Sequence, residues 1–434
     1  MSDVRLEPIS APFDVTFTPP GSKSLTNRAL VMAALADGTC ELRNVLFADD
    51  THVMIDSLGR LGFRVEVDRA TNTVHVHGAG GRIPRGEAEL FVGNSGTTVR
   101  FLTALCTLGN GEYSLDGIAR MRERPIGPLV EMLRNLGARI TSTMNDGFPP
   151  VRITAHGLPG GHVRFRAESS SQFLSAVLMT APYARHEVRV LLDPNQTSWP
   201  YVEMTMRLMD EFGIICELER DPDTREPKSI TVPHGRYAST QYDVEPDASN
   251  ASYFLALAAV HPGSAITLNG LGTASLQGDA AFDGVLKKLG CEVTRGPNTI
   301  RVVGPARLRG IDVDMSPMPD TVQTLGVVAL FCEGPTTMRG LHTLRVKETD
   351  RIAALEAELT KLGARVEVDG DAAMTIHPPA TLTPAAIDTY DDHRMAMSFA
   401  VAATRAPGVL IRNAECVNKT YPGFFVDLRR LLAR

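Results

Sequence analysis

The sequence predicts an α/β protein built of six repeats and folded as two domains. Three observations predict it. The first is a recurring phrase in which a helix end runs into Leu-Gly or Phe-Gly and then an alternating strand. It occurs at Leu61-Gly62-Phe63-Arg64-Val65, Leu136-Gly137-Ala138-Arg139-Ile140, Phe212-Gly213-Ile214-Ile215-Cys216, Leu289-Gly290-Cys291-Glu292-Val293 and Leu362-Gly363-Ala364-Arg365-Val366. The glycines stand 75, 76, 77 and 73 residues apart. Each sits where a helix terminates and a left-handed backbone is needed. The second observation is a polar or glycine-rich loop that opens a helix of small apolar residues. Its six copies begin near Gly21-Ser22-Lys23-Ser24, Gly93-Asn94-Ser95-Gly96-Thr97, Glu168-Ser169-Ser170-Ser171-Gln172, Pro246-Asp247-Ala248-Ser249, Pro317-Met318-Pro319-Asp320 and Asp391-Asp392-His393-Arg394. The third is an irregularity. The sixth unit stops at Arg434 without its Leu-Gly strand pair, while residues 4–18 carry a strand-like Phe13–Phe17 and no helix.

Each repeat holds two kinds of helix. One kind, such as Phe254 to Val260, is apolar all round and belongs inside a domain. The other, as in Asp49 to Leu61, Gly127 to Leu136 and Thr349 to Leu362, carries a charged face and covers the outside. Short strands with period-2 alternation, such as Thr73 to His77, complete the unit. The N-terminal segment is expected to complete the sixth unit. One domain then comprises residues 1–20 with 244–434, and residues 21–243 are inserted as the other. Two chain crossings, near Pro20 and near Asp243, make a natural hinge. If the inner helices run parallel, their starts share one face, a cleft made positive by the helix dipoles.

The chemistry is expected at those starts. Gly21 to Arg28 places Lys23 and Arg28 at the opening of a buried helix, where free backbone N–H groups suit an anion. It is not a Walker loop: the lysine follows Ser22, and the first glycine is missing upstream. Charge also concentrates at Arg120 to Arg124, Leu344 to Arg351 and Asp391 to Arg394. Lys347 and Arg351, four apart, are expected on one helix face.

Bulk properties exclude other classes. A net charge of −6 argues against a nucleic-acid binder, whose helices would be cationic where these are apolar. No run of about 18 apolar residues predicts a membrane span. Met1 to Ser10 is polar, so no signal or transit peptide is expected there. The six cysteines, at 40, 106, 216, 291, 332 and 416, are dispersed. Neither a metal cluster nor a disulfide framework is expected, and a reducing compartment fits.

Eight stretches in order resemble the 5-enolpyruvylshikimate-3-phosphate (EPSP) synthases of the enolpyruvyl transferase family. They are Gly21-Ser22-Lys23-Ser24 with Arg28, Gly93 to Thr97 with Arg100, Arg122 to Gly127, Ser170-Ser171-Gln172-Phe173, Ser198-Trp199-Pro200-Tyr201, Asp247-Ala248-Ser249 with Ser252-Tyr253-Phe254, Arg345 to Arg351, and Asp392 to Met397. The resemblance implies a two-domain inside-out α/β barrel, each domain three copies of a βαβαββ unit around buried parallel helices. It implies transfer of the enolpyruvyl group of phosphoenolpyruvate to the 5-hydroxyl of shikimate 3-phosphate, through a tetrahedral ketal that loses phosphate. Carried over by motif, Lys23, Gly96, Arg124, Gln172, Arg351, Arg394 and Lys419 hold phosphoenolpyruvate. Lys23, Ser24, Arg28, Ser170, Ser171, Gln172, Ser198, Tyr201, Asp320 and Lys347 hold shikimate 3-phosphate. Asp320 takes the hydroxyl proton, and Glu348 or Lys23 gives one to C3.

The resemblance further implies two small-molecule substrates, no metal or other cofactor, no nucleic-acid or membrane partner, and a cytoplasmic monomer. The herbicide glyphosate occupies the phosphoenolpyruvate place in this family. A sister enzyme acting on UDP-N-acetylglucosamine commonly uses a loop cysteine, and none stands between Gly111 and Arg124. Four positions depart from the common pattern. Thr343 replaces an asparagine, Phe101 follows Arg100 in place of proline or a small residue, and Ser95 and Thr98 replace alanines.

Overall fold

A computed structural model describes residues 2–166 and 170–432. Ala167, Glu168 and Ser169, where the third polar phrase begins, lie outside the described residues. The chain divides into two compact units, Met1–Pro20 with Glu245–Arg434 (the terminal unit) and Gly21–Val244 (the inserted unit).

In the inserted unit the inner helices are α1 (Lys23–Leu35), α3 (Gly96–Cys106) and α5 (Ser171–Thr180), and the outer ones α2 (Asp49–Arg60), α4 (Gly127–Asn135) and α6 (Trp199–Glu211). In the terminal unit α7 (Ala248–Val260), α9 (Val322–Ala329) and α11 (His393–Ala403) are inner. α8 (Phe282–Lys288), α10 (Arg351–Lys361) and α12 (Phe424–Leu432) are outer. The inner helices form the centre: all but one residue of α1 and every residue of α11 is buried. Side chains capable of this are small and apolar on every face, so no amphipathic stripe is needed. All five Leu/Phe-Gly glycines end their helices with φ between +86° and +109°. Gly62 shows why nothing else fits: besides the backbone strain, an added Cβ would lie 2.9 Å from Cγ of Arg85.

The strands fall into separate sheets outside the helices, and among the described residues they do not close into a β-barrel. Each four-stranded sheet has one design. An edge strand pairs in parallel with the strand after the inner helix, and a Leu/Phe-Gly hairpin continues it antiparallel. Glu87–Phe91, Asn110–Asp116, Val151–His156 and Arg139–Ser142 are one example.

The N-terminal segment departs from expectation. Asp14–Phe17 pairs in parallel with Ala265–Asn269, in the fourth unit rather than the sixth. Only Val4–Arg5 joins the sixth, antiparallel to Leu410–Ile411 where other repeats have their hairpin. The cause is an exchange. The strand that precedes α1 lies in the sheet after α7, and the strand that precedes α7, Gln241–Asp243, lies parallel to Glu41–Arg43 after α1. Each unit thus borrows the edge strand that the chain order assigns to the other.

Candidate active site

In the inserted unit the starts of α1, α3 and α5 are tied together by side chains. Ser22 caps α1, its Oγ accepting from Leu25 N, and Ser170 caps α5 by accepting from Gln172 N. Lys23 Nζ stands 3.4 Å from Oδ2 of Asp50, on α2. Arg100 of α3 donates to Oε1 of Gln172 at 2.6 Å and lies over the ring of Phe173. Ser95 caps α3, its Oγ is 2.8 Å from Oγ1 of Thr98, and Thr98 donates to the Asp50 carbonyl at 3.4 Å. Two residues that depart from the family pattern therefore brace Asp50. Arg124 donates to Asn94 through both its carbonyl (2.9 Å) and its side chain (3.1 Å). A Cβ at residue 96 would lie 2.9 Å from Cζ of Arg124, so Gly96 is what lets that guanidinium sit against the helix start.

Arg28 is the informative residue here. It is 1% exposed, yet no carboxylate contacts it among the described residues. Its Nε donates to Thr205 at 2.8 Å, one amino group to the Ser24 carbonyl at 3.0 Å and the other to Ser175 at 3.2 Å. Its guanidinium carbon lies 5.1 Å from the ring centre of Phe101. Burial lowers its pKa to about 10, with the Tyr201 phenol opposing, so it remains a cation at neutral pH. A buried cation balanced by neutral groups alone is costly. Ser198 caps α6 with φ +54° and makes no side-chain cap bond. Tyr201 follows in the first turn of α6.

The terminal unit is organised differently. Asp320 lies in a short 3-10 turn (Pro319–Thr321) and is not the cap of α9, which is Thr321. Its carboxylate takes three cations instead. Arg351 reaches Oδ1 at 3.1 Å, Arg394 reaches Oδ2 at 2.8 Å, and Lys347 Nζ is 3.7 Å from Oδ1. Arg351 also grips Glu348 Oε2 at 2.9 Å and Asp392 Oδ2 at 2.8 Å. Burial works against its charge, but Asp392, Glu348 and Asp320 overcome it and hold Arg351 above the ordinary arginine range. Asp392 in turn caps α11 by accepting from Arg394 N at 2.9 Å. Arg394 donates to the Tyr253 hydroxyl of α7 at 3.3 Å. Lys419 ends a 3-10 turn (Ala414–Lys419) and is buried.

One sequence expectation changes. Lys347 and Arg351 do not share a helix face, because Asp350 caps α10 and Lys347 precedes that cap. They meet through Asp320 instead. Most positions named from the sequence lie at or just before helix starts, while Lys419 ends its 3-10 turn and Arg124 closes one, and several of their partners were not named: Asp50, Asn94, Arg100, Ser175, Thr205, Tyr253 and Asp392. Asn94, Arg100, Tyr253 and Asp392 lie inside the quoted motifs. Ser175 and Thr205 carry no sequence signal, since a hydroxyl on an inner or outer helix usually bonds its own helix backbone.

Each unit thus sets buried cations near its inner-helix starts, with a carboxylate held among them in the terminal unit, an arrangement of the class suited to small anions. The comparisons with known proteins give the particular family. The family described as EPSP synthase (3-phosphoshikimate 1-carboxyvinyltransferase) matches residues 9–428. A curated 3-phosphoshikimate 1-carboxyvinyltransferase of Trichormus variabilis is 43% identical over 435 residues, covering all of both chains. The chloroplastic enzyme of Brassica napus is 46% identical over 430 residues, covering 95% of this chain and 82% of its own. Among solved structures, EPSP synthase from Acinetobacter baumannii superposes with a TM-score of 0.79 at 26% identity, over 99% of this chain and 98% of that one. The enolpyruvyl transferase NikO from Streptomyces tendae shares the fold, with a TM-score of 0.75 at 18% identity. The chain belongs to the EPSP synthase family, whose members move the enolpyruvyl group of phosphoenolpyruvate to shikimate 3-phosphate in the shikimate pathway.

Proposed function

We propose that this chain performs the transfer with the residues gathered at its helix starts. Shikimate 3-phosphate is held by Lys23, Ser24, Arg28, Ser170, Ser171, Gln172, Ser198, Tyr201, Asp320 and Lys347. Phosphoenolpyruvate is held by Lys23, Gly96, Arg124, Gln172, Arg351, Arg394 and Lys419. Arginine forks suit both the carboxylate and the phosphate groups of these substrates. In the addition step the 5-hydroxyl oxygen bonds to C2 of phosphoenolpyruvate, its proton passes to Asp320, and C3 gains a proton from Glu348 or Lys23. In the elimination step C3 returns a proton to the group that supplied it, Glu348 or Lys23, and the C2–O bond to phosphate breaks, leaving the enol ether and free phosphate.

The observation that carries this reading is the position of Asp320 among Arg351, Arg394 and Lys347. Asp320 is not spent on a helix cap, and the cations it contacts are the ones assigned here to the two substrates, which puts a carboxylate beside the reacting groups. Glyphosate occupies the phosphoenolpyruvate place in this family, and Gly96 puts no side chain beside Arg124 in this chain. We also place the enzyme in the cytoplasm as a monomer. Six free cysteines suit a reducing compartment, and among the described residues no helix is long and apolar enough to cross a membrane. Light scattering of the purified chain tests the oligomeric state.

The activity is tested by phosphate release from phosphoenolpyruvate, with either shikimate 3-phosphate or UDP-N-acetylglucosamine as acceptor. Release with the first and none with the second is expected. The reverse pattern contradicts the reading.

A further inference from the structure

The turn that delivers Asp392 and Arg394 to the site is strained, and the strain is held from one place. Asp392 N donates to the Thr389 carbonyl at 2.8 Å, closing a four-residue turn. Both central residues have positive φ, +55° at Tyr390 and +53° at Asp391. That pattern belongs to turns built from glycine, asparagine and aspartate, and a tyrosine there is costly. The inserted unit offers a contrast. Gly93, also two residues before its helix cap, has φ +56°, and glycine meets that demand at no cost. At residue 390 the chain keeps a tyrosine in the same conformation.

Tyr390 has one evident use there. The residue is 42% exposed, so it contributes little to the core, but its hydroxyl donates to Oε1 of Glu358 at 2.6 Å. Glu358 is fully buried on α10. Its other oxygen accepts from Asp388 N at 3.1 Å, at the entry to the same turn. Lys361 balances its charge at 2.8 Å and also reaches Asp388. Asn413 bonds the Asp391 side chain from the far side. Glu358 is seven residues beyond Arg351, two turns along α10 and so on the same face. One helix therefore grips the turn at both ends: Arg351 takes Asp392, and Glu358 takes Tyr390 and Asp388.

We propose that Glu358 and Tyr390 are positioning residues for the enolpyruvyl transfer, holding the Thr389–Asp392 turn so that Arg351 and Arg394 stand at a fixed separation for phosphoenolpyruvate. The inference rests on the reading of Arg351 and Arg394 as ligands of that substrate. Neither Glu358 nor Tyr390 is among the residues assigned here to either substrate. Their effect passes through Asp392, which both caps α11 and anchors Arg351.

The test is steady-state phosphate release by the full chain and by Tyr390→Phe, Glu358→Ala and the double variant, with melting temperatures measured alongside. Tyr390→Phe removes only the hydroxyl. Its KM for phosphoenolpyruvate is expected to rise about fivefold or more, while kcat and the KM for shikimate 3-phosphate change less than about twofold. The double variant should show no greater rise than Glu358→Ala alone, because the two residues form one strap. If Glu358→Ala does not fold, Tyr390→Phe decides by itself. A lowered melting temperature with an unchanged KM for phosphoenolpyruvate overturns the inference, as does a double variant whose rise is the product of the two single ones. Absence of turnover by the unsubstituted chain overturns instead the reading of function on which the inference stands.

Discussion

The inserted and terminal units share one repeat, yet they treat charge in opposite ways. In the terminal unit Arg351 is enclosed by Asp320, Glu348 and Asp392, so its charge is compensated before any ligand arrives. In the inserted unit Arg28 is as deeply buried but is met only by Ser175, Thr205, a backbone carbonyl and the face of Phe101. The difference teaches that two buried arginines need not do the same job. Arg351 is part of the fold's own ion-pair network and is oriented by it. Arg28 meets no carboxylate among the described residues, and the folded chain bears the cost of burying its charge beside neutral groups.

Substitutions can break or sharpen that contrast. The largest effect is expected from Asp320→Asn, which keeps the shape of the carboxylate and its acceptor oxygen but removes the base. The kcat should fall roughly a thousandfold with the fold intact. Stopped-flow or steady-state phosphate release measures it, and turnover within tenfold of the parent would remove Asp320 from the chemistry. Next is Arg28→Met. The KM for shikimate 3-phosphate should rise about a hundredfold, in keeping with loss of a charge-assisted contact worth roughly 2–3 kcal/mol. The KM for phosphoenolpyruvate should change little. An equal rise for both substrates would mean that Arg28 supports the site as a whole. The smallest effect is expected from Gly96→Ala. Its methyl displaces the Arg124 guanidinium rather than removing it, so the KM for phosphoenolpyruvate should rise about tenfold at a nearly constant kcat. An unchanged KM would show that Arg124 yields without consequence.

Much of the fold was legible because its signals are local and repeated. Gly62, Gly137, Gly213, Gly290 and Gly363 each had to end a helix in a left-handed conformation, and each does. The destination of Asp14–Phe17 was not legible. Four residues of alternating burial fit any sheet edge, and the exchange of edge strands is decided by where the chain crosses. The positions quoted for the site were legible as polar residues interrupting helices that otherwise need none. Their partners were harder to see. The helical spacing of Lys347 and Arg351 misled, because the cap at Asp350 sets the helix start between them. Ser175 and Thr205 look like ordinary helix hydroxyls until the fold brings Arg28 to them.

The contrast between the two arginines is tested most directly by the melting temperatures of Arg28→Met and Arg351→Met without substrates. Removing Arg28 leaves few groups stranded, because Ser175 and Thr205 remain 2.9 Å apart and Thr205 also bonds the Tyr201 carbonyl. Its melting temperature is expected to stay the same or rise. Removing Arg351 strands Asp392 in the interior beside Glu348 and Asp320, which costs about 3–5 kcal/mol and lowers the melting temperature by several degrees. Equal losses in the two variants would contradict the account, since Arg28 would then be as much a part of the folded framework as Arg351.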